Sequence, residues 1–261
     1  MRIVLGVLFA GAGIAVAAAA GGPVSTLVER LQTDAVRFNA WLPDTEPTAA
    51  VVARGHTVAM GGASRNGAQF ACFTCHGGDG GGDSAGAIPR LAGLPAAYLA
   101  TQLAKYASGE RVDSMMTPIA HALAAEEIDA AAIYYAAMAP ASAMADEDVA
   151  ETQEDLAQHG ARLSLVGSAG SAIPACSNCH GPYGTGMAPS VPPLAGQAGS
   201  YAGKRLRHWR TLDPAEHPDN PMVPIAAKMS DRDIEAVSTY FEALDVNAGT
   251  ATAGTGPDRD G

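Results

Sequence analysis

The sequence predicts an all-α chain in which two similar helical domains follow one another as an internal duplication. Apolar residues recur at helical spacing, and no stretch alternates convincingly between apolar and polar residues as a half-buried strand would. The second half of the chain repeats the order of motifs found in the first half, from about residue 51 to residue 247. The length of 261 residues is sufficient for two small domains of this kind.

The first twenty residues have the pattern of a secretory signal peptide. Arg2 precedes an apolar run over residues 3–20, and the small residues 18–20 suit cleavage. An uncleaved membrane anchor is the alternative, because the run is just long enough for a marginal span, although its alanine and glycine content makes that span a weak one. In both cases we expect the globular part to be exported, and in the second case it would be tethered to the membrane.

Residues 21–47 are predicted to form an N-terminal extension with a short amphipathic helix. Thr26 and Glu29 have the spacing of a capping box, and apolar residues follow at helical spacing up to Leu42, before Pro43. We expect this helix to pack on the domain that follows. Docking on a partner or on a membrane surface is the alternative.

The motif C-x-x-C-H occurs twice, at residues 72–76 and 176–180, and these stretches contain all four cysteines. This pattern is the signature of covalent c-type haem attachment. A zinc ribbon would place its second C-x-x-C roughly 15–20 residues after the first, and a thioredoxin-like motif would not explain the histidine in both copies. The sequence therefore predicts two covalently bound haem c groups. The predicted attachment residues are Cys72, Cys75, Cys176 and Cys179, and the predicted iron ligands are His76 and His180.

The segments after each motif follow the same order in both halves. A glycine-rich loop leads to a Pro-x-Leu-Ala-Gly segment at residues 89–93 and 192–196, then to a helix, a Met-x-Pro-Ile-Ala segment and a closing helix. The closing helices are predicted over residues 126–138 and 231–244, and Ser230 is predicted to cap the second.

Composition shifts set the predicted domain limits. Pro140 and the acidic run at residues 146–148 mark a linker, so we expect the domains to span residues 48–144 and 145–247. The glycine- and threonine-rich tail at residues 248–261 is predicted to be disordered.

The repeat indicates methionine as the sixth iron ligand in each half. Met116 and Met222 occupy equivalent positions, and a thioether ligand raises the reduction potential of a haem. Met115 is the competing residue, but the alignment on Pro-Ile-Ala selects Met116. Bis-histidine ligation is the other alternative, and we interpret the histidines that could provide it as surface or packing residues because they do not recur at equivalent positions. These are His56, His121, His159, His208 and His217.

Pro89 and Pro192 are predicted to support the two iron-ligating histidines. Such a histidine normally donates its free ring N–H to an acceptor, and the backbone carbonyl of a rigid proline is suitable. The alternative is that these prolines only shape the loop. Several basic residues could pair with haem propionates or be solvated, and the sequence does not decide between these roles. They are Arg111, Lys204, Arg205, Arg207 and Arg210.

With these motifs, the chain resembles the diheme cytochrome c4 family, in which two class I cytochrome c domains are fused in tandem. The resemblance rests on the two C-x-x-C-H motifs, the two Pro-x-Leu-Ala-Gly segments and the Met-x-x-Ile-Ala segments before an aromatic-bearing helix. It implies two cytochrome c-like haem domains facing each other about a pseudo-twofold axis. It also implies one-electron transfer in the periplasm. The helix at residues 27–42 and the segment at residues 208–220 depart from the family pattern.

Three functions are compatible with this resemblance. The first is a freestanding electron carrier between a donor, such as a dehydrogenase or a cytochrome bc1-type complex, and a terminal oxidase. The second is the diheme electron-transfer subunit of a dehydrogenase complex, such as a sulfide dehydrogenase. The third, a diheme thiosulfate dehydrogenase or peroxidase, would need an open or unusually ligated iron and a catalytic group, so we predict no catalytic residues and no enzyme activity of the chain itself.

The formal net charge of −11 also limits the partners. An acidic surface repels the phosphate backbone, so we expect no nucleic-acid partner. A basic patch on a redox protein is the natural electrostatic complement. If the N-terminal segment is retained, the chain would also associate with the inner membrane.

Overall fold

The computed structural model describes residues 47–62, 71–140 and 151–246, with the side chains of residues 151–153 excepted. The predicted signal segment, the helix of residues 26–42, the acidic run at 146–148 and the tail at 248–261 lie outside the described residues. The domain limits of 48–144 and 145–247 stay predictions. In the part of the chain that is described, no helix is long and apolar enough to cross a membrane.

The described residues form helices and no β-strands, which confirms the all-α fold class. The β-type backbone pairings in these ranges are isolated bridges, such as the one between Asp83 and Ile88. The helices of the first half are α1 (Ala49–Ala59), α2 (Phe73–His76), α3 (Ala96–Ser108), α4 (Met116–His121) and α5 (Ala125–Ala137). Those of the second half are α6 (Glu151–Leu165), α7 (Ser177–His180), α8 (Gly199–Arg210), α9 (Met222–Ala226) and α10 (Asp231–Ala243).

The two halves pack their helices in the same way, as the duplication predicts. In the first half α1 packs on α5, and α3 contacts both α4 and α5. In the second half α6 packs on α10, and α8 contacts both α9 and α10. The predicted closing helices agree with α5 and α10 to within one residue at each end. The predicted cap is also present, since the Asp233 N–H donates to Oγ of Ser230 at 3.1 Å.

Glycine permits the closest helix crossing in each half. A Cβ atom on Gly55 of α1 would stand 2.1 Å from the carbonyl oxygen of Ala130 in α5. A Cβ atom on Gly160 of α6 would stand at the same distance from the carbonyl oxygen of Ala236 in α10. Because real side chains do not approach a carbonyl so closely, only glycine allows these helices to cross at this separation.

Each half has its own apolar core, and the first cysteine of each motif packs against it. Cys72 lies against the first core and Cys176 against the second. The buried residues of the first core are Ala59, Leu94, Leu99, Ala100, Ile128, Ala132 and Tyr135. Those of the second are Leu163, Ile173, Leu206, Ala226, Met229, Ile234, Val237 and Phe241.

The Pro-x-Leu-Ala-Gly segments are tied to the closing helices by equivalent hydrogen bonds. The Gly93 N–H donates to the carbonyl of Tyr135 in α5 at 2.9 Å. The Gly196 N–H donates to the carbonyl of Phe241 in α10 at 2.7 Å. These bonds hold the two segments, and with them Pro89 and Pro192, at equivalent places in the two halves.

Two candidate haem sites

Both C-x-x-C-H motifs form a single helical turn, in which the two cysteines are three residues apart and so lie next to each other on its surface. The His76 N–H donates to the Cys72 carbonyl at 2.9 Å, and the His180 N–H donates to the Cys176 carbonyl at the same distance. The turn ends in each case at a glycine with positive φ, Gly77 at 82° and Gly181 at 75°, a conformation that other residues rarely adopt.

None of the four cysteines forms a disulfide, so all four are available for covalent attachment. In both motifs the first cysteine is half-buried and the second is exposed. Burial raises the pKa of Cys72 and raises the pKa of Cys176 to about 11, so these thiols stay protonated at neutral pH. The four cysteines would hold two haems through thioether bonds to the porphyrin vinyl groups, and the apolar core beside Cys72 and Cys176 suits a porphyrin edge. Among the described residues, no group of three or more histidine, cysteine or acidic side chains could hold a metal ion.

The two histidines are buried and held in one tautomer. Nδ1 of His76 lies 2.9 Å from the carbonyl oxygen of Pro89, and Nδ1 of His180 lies 2.9 Å from that of Pro192. A carbonyl oxygen only accepts, so Nδ1 carries the hydrogen in both rings and Nε2 is the nitrogen that is free to ligate iron. Burial lowers the pKa of both imidazoles against the opposing effect of the carbonyl hydrogen bond, which favours the neutral form that a metal requires.

The two methionines predicted as sixth ligands stand at equivalent positions, at the first residues of α4 and α9. Met116 and Met222 are half-buried, whereas Met115 is 62% exposed. The Met116 N–H donates to Oδ1 of Asp113, and the Met222 N–H donates to Oδ1 of Asn220, each at 3.1 Å. In both halves, a side-chain oxygen two or three residues earlier in the chain thus accepts from the methionine N–H. Ligation by Met116 and Met222 stays a prediction.

Three of the histidines considered for bis-histidine ligation make other contacts. Nε2 of His159 lies 2.7 Å from Oδ1 of Asp233. The His56 ring packs edge-on against Tyr134, with 5.5 Å between centroids. Nδ1 of His121 lies 3.3 Å from a backbone carbonyl of the α3 helix. These contacts support their interpretation as packing or surface residues.

A buried arginine joins the two halves next to the first histidine. Arg90 is only 2% exposed. Its guanidinium donates to the carbonyl of Ala92 at 2.7 Å and to the carbonyl of Ala195 in the other half at 2.9 Å. Ala92 and Ala195 are equivalent residues of the two Pro-x-Leu-Ala-Gly segments. One side chain thus binds the same backbone atom of both halves. Burial lowers the pKa of Arg90 to about 10, which leaves it charged at neutral pH.

Arg111 forms a second connection between the halves. Its guanidinium donates to Oε1 of Gln102 at 2.6 Å and to the Tyr201 hydroxyl in the second half at 3.0 Å. It also lies over the Tyr106 ring, 4.4 Å from the centroid. Burial raises the pKa of Tyr106 to about 12, so its hydroxyl is neutral. The sequence did not decide whether Arg111 pairs with a haem propionate or is solvated. The structure shows a further role for it, as a contact between the two halves.

Further polar contacts extend this interface. Nζ of Lys204 lies 3.7 Å from Oδ2 of Asp113, the residue that accepts from the Met116 N–H. Ser84 in the loop after the first motif hydrogen-bonds with Ser200 and Glu242 of the second half. Arg205 instead lies over the ring of its neighbour Trp209 on α8, and Arg210 pairs with Asp231 at 2.6 Å.

Sequence reasoning missed Arg90 and its partner Gln197 as interface residues. The signal was present as a break in the repeat: Arg90 stands where the second half has Pro193, and Gln197 stands where the first half has Leu94. The two copies therefore differ in sequence at positions where the halves meet in the structure.

The comparisons with known proteins agree with this geometry. The cytochrome c family matches residues 53–154 and 168–245. A thiosulfate dehydrogenase electron acceptor from Stutzerimonas stutzeri is 45% identical over 70% of this chain and 82% of its own length. A cytochrome c4 from Thiocapsa roseopersicina is 35% identical over 68% of this chain and 88% of its own length.

A solved structure shares the arrangement of the helices. A thiosulfate dehydrogenase from Marichromatium purpuratum superposes with a TM-score of 0.64 at 37% identity and covers 80% of this chain, while this chain spans 43% of that one. Together with the match of both halves to the family, these similarities confirm the prediction of two covalently bound haem c groups. The chain therefore belongs to the cytochrome c family, as a diheme electron-carrying member similar to cytochrome c4.

Proposed function

We propose that this chain is the periplasmic electron acceptor of a dehydrogenase that oxidises thiosulfate. The observation that carries the proposal is the 45% identity, over 82% of its length, to a relative named for that role. A second relative with the same name, from Thiomonas intermedia, is 36% identical over 77% of its length. Among the functions compatible with the sequence, this favours a partner of a dehydrogenase over a carrier without a dedicated donor.

The side chains of each site suit a relay of single electrons. When bound, each haem iron supplies a one-electron couple, which ligation by a histidine and a methionine would place at a high potential. His76 and Met116 would ligate the first iron, and His180 and Met222 the second. The carbonyls of Pro89 and Pro192 orient the two imidazoles, and burial of both rings keeps water away from them.

Two sites in one chain suit the chemistry of the proposed donor. Joining two thiosulfate ions through a new S–S bond releases two electrons. A chain with two one-electron sites can take both electrons from one such event. In this proposal the chain itself does not oxidise thiosulfate, and its own residues serve to hold the cofactors and to dock the two halves.

Anaerobic stopped-flow absorbance tests this proposal. Oxidised holoprotein is mixed with thiosulfate and a catalytic amount of a thiosulfate dehydrogenase, and the reduced haem band is followed. We expect both haems to be reduced with the dehydrogenase present and neither to be reduced by thiosulfate alone. Rapid reduction by thiosulfate alone would assign the enzyme activity to this chain.

A freestanding carrier is the second candidate, favoured by the similarity to cytochrome c4. The same experiment with a quinol-oxidising cytochrome complex as the donor distinguishes the two. Fast reduction by that complex and no reduction by the dehydrogenase would favour the freestanding carrier.

The location is part of the proposal and rests on the apolar run at residues 3–20. Haem staining of cell fractions tests it. We expect the haem-bearing chain in the periplasmic fraction, shortened by about twenty residues if the signal peptide is cleaved. Recovery in the membrane fraction at full length would instead support an uncleaved anchor.

A further inference from the structure

The two haem sites differ at the peptide group that holds the histidine. In the first site this group is the Pro89–Arg90 peptide. Its carbonyl accepts from Nδ1 of His76 at 2.9 Å, and its N–H donates to Oε1 of Gln197 at 2.8 Å. Gln197 belongs to the second half of the chain. A single peptide group thus connects a side chain of one half with the haem-ligating histidine of the other.

The second site has no equivalent connection. The carbonyl of Pro192 holds His180 at the same distance, but the next residue is Pro193, which has no backbone N–H. At the position equivalent to Gln197, the first half has Leu94. Because Pro193 has no backbone N–H, the second site cannot form this connection in any side-chain conformation.

Gln197 is held rigidly in this position. Its Oε1 also accepts from the Ala198 N–H at 3.0 Å, and its Nε2 donates to the carbonyl of Arg90 at 3.2 Å. Two N–H donors facing the oxygen and a carbonyl facing the nitrogen determine the orientation of the amide. The residue is 6% exposed, so water does not compete for these bonds.

Hydrogen bonds in a chain polarise one another, and the effect is strongest where the surroundings are dry. Donation by the Arg90 N–H to Gln197 increases the negative charge on the Pro89 oxygen. That oxygen then accepts more strongly from Nδ1–H of His76, which makes the imidazole a more basic ligand. A more basic ligand favours ferric iron and lowers the reduction potential.

We propose that Gln197 is a positioning residue for the first haem site, acting through the Pro89–Arg90 peptide on His76. It makes the two haems unequal by lowering the reduction potential of the haem on Cys72 and Cys75, and it links that potential to the docking of the two halves. The proposal rests on the presence of the haems and on His76 as ligand, and it holds for any electron donor.

The Gln197→Leu variant of the holoprotein tests the proposal, because leucine is the residue at the equivalent position in the first half. NMR resolves both sites if the haem methyl signals are assigned through their contacts with the cysteines of each motif. In a redox titration we expect the potential of the first haem to shift upward and that of the second to stay unchanged. In the reduced protein, the Nδ1–H signal of His76 should move upfield and that of His180 should not move.

Two further variants separate the proposed effect from a loosened interface. Gln197→Glu loses the donor to the Arg90 carbonyl but keeps an oxygen that accepts from the Arg90 N–H, and makes it a stronger acceptor, so the His76 signal should move downfield. Because the added negative charge lowers a haem potential by itself, the NMR signal is the readout for this variant. Tyr201→Phe removes the hydrogen bond from Arg111 between the halves without touching the peptide, and both histidine signals should stay in place. An unmoved His76 signal in both Gln197 variants, or equal movement of the His76 and His180 signals, would overturn the proposal.

Discussion

Met115 and Met116 are neighbours in the chain, but they differ in burial. Met115 is 62% exposed, whereas Met116 is half-buried at the first residue of α4, as Met222 is in α9. A thioether that ligates iron produces a weak sulfur-to-iron charge-transfer band at long wavelength in the oxidised protein. We expect Met116→Ala and Met222→Ala each to remove about half of this band and to lower one of the two reduction potentials.

Met115→Ala is the matched control for this test, and the band should keep its full intensity in that variant. A full band in the Met116→Ala, Met222→Ala double variant would contradict the assignment of both ligands.

The Asp113 carboxyl makes the hydrogen bonds at the start of α4 sensitive to pH. Burial raises the pKa of its carboxyl. The N–H groups of Met116 and Met115, together with Lys204 and Arg111, lower the pKa by more than burial raises it. The pKa therefore lies below its ordinary value of 3.8. A lowered folded pKa means that the carboxylate stabilises the fold fully above pH 3.8 and that this contribution is lost as the pH falls through the folded value.

We therefore expect the Met116 amide signal in NMR to shift as acid protonates this carboxyl, at a pH below 3.8. The Met222 amide should not shift in this way, because its acceptor is the neutral Asn220. Asp113→Asn provides a neutral acceptor of the same kind and should abolish the titration of the Met116 signal. A titration that persists in Asp113→Asn would assign the effect to another group.

At the scale of helices, the duplication determined most of what the sequence could predict. The α5 and α10 helices, the Ser230 cap and the equivalent places of Pro89 and Pro192 follow from local patterns that occur twice. The crossing of α1 with α5 did not follow, because a close approach at Gly55 depends on the facing surface of a helix far along the chain. The same holds for Gly160.

Gly160→Ala tests how tightly α6 and α10 cross. The added Cβ would meet the Ala236 carbonyl at 2.1 Å, so the helices must separate or bend. We expect the free energy of unfolding, measured by guanidinium chloride titration, to fall by about 3 kcal/mol. Gly170→Ala is the control, since nothing lies within 4 Å of a Cβ there. Equal stability of the two variants would mean that the crossing is not close in solution.

At the scale of the whole molecule, the two haem sites are connected by polar contacts that the sequence did not reveal. Arg90 and Gln197 are more than a hundred residues apart in the chain, and local periodicity carries no information about which surfaces of two domains will meet. The contact is visible in the sequence only as two positions, Arg90 and Gln197, at which the two halves have different residues. The two sites have the same motifs, and they differ in the hydrogen bond between Arg90 and Gln197, which Pro193 cannot form in the second half.

The most direct test of the proposed role is an anaerobic titration of the oxidised holoprotein with thiosulfate, in the presence of a trace of thiosulfate dehydrogenase. Haem absorbance reports the fraction reduced. Because joining two thiosulfate ions releases two electrons and each chain has two haems, we expect full reduction at two thiosulfate ions per chain. Absence of haem reduction, while the same dehydrogenase reduces an artificial acceptor, would contradict the proposal.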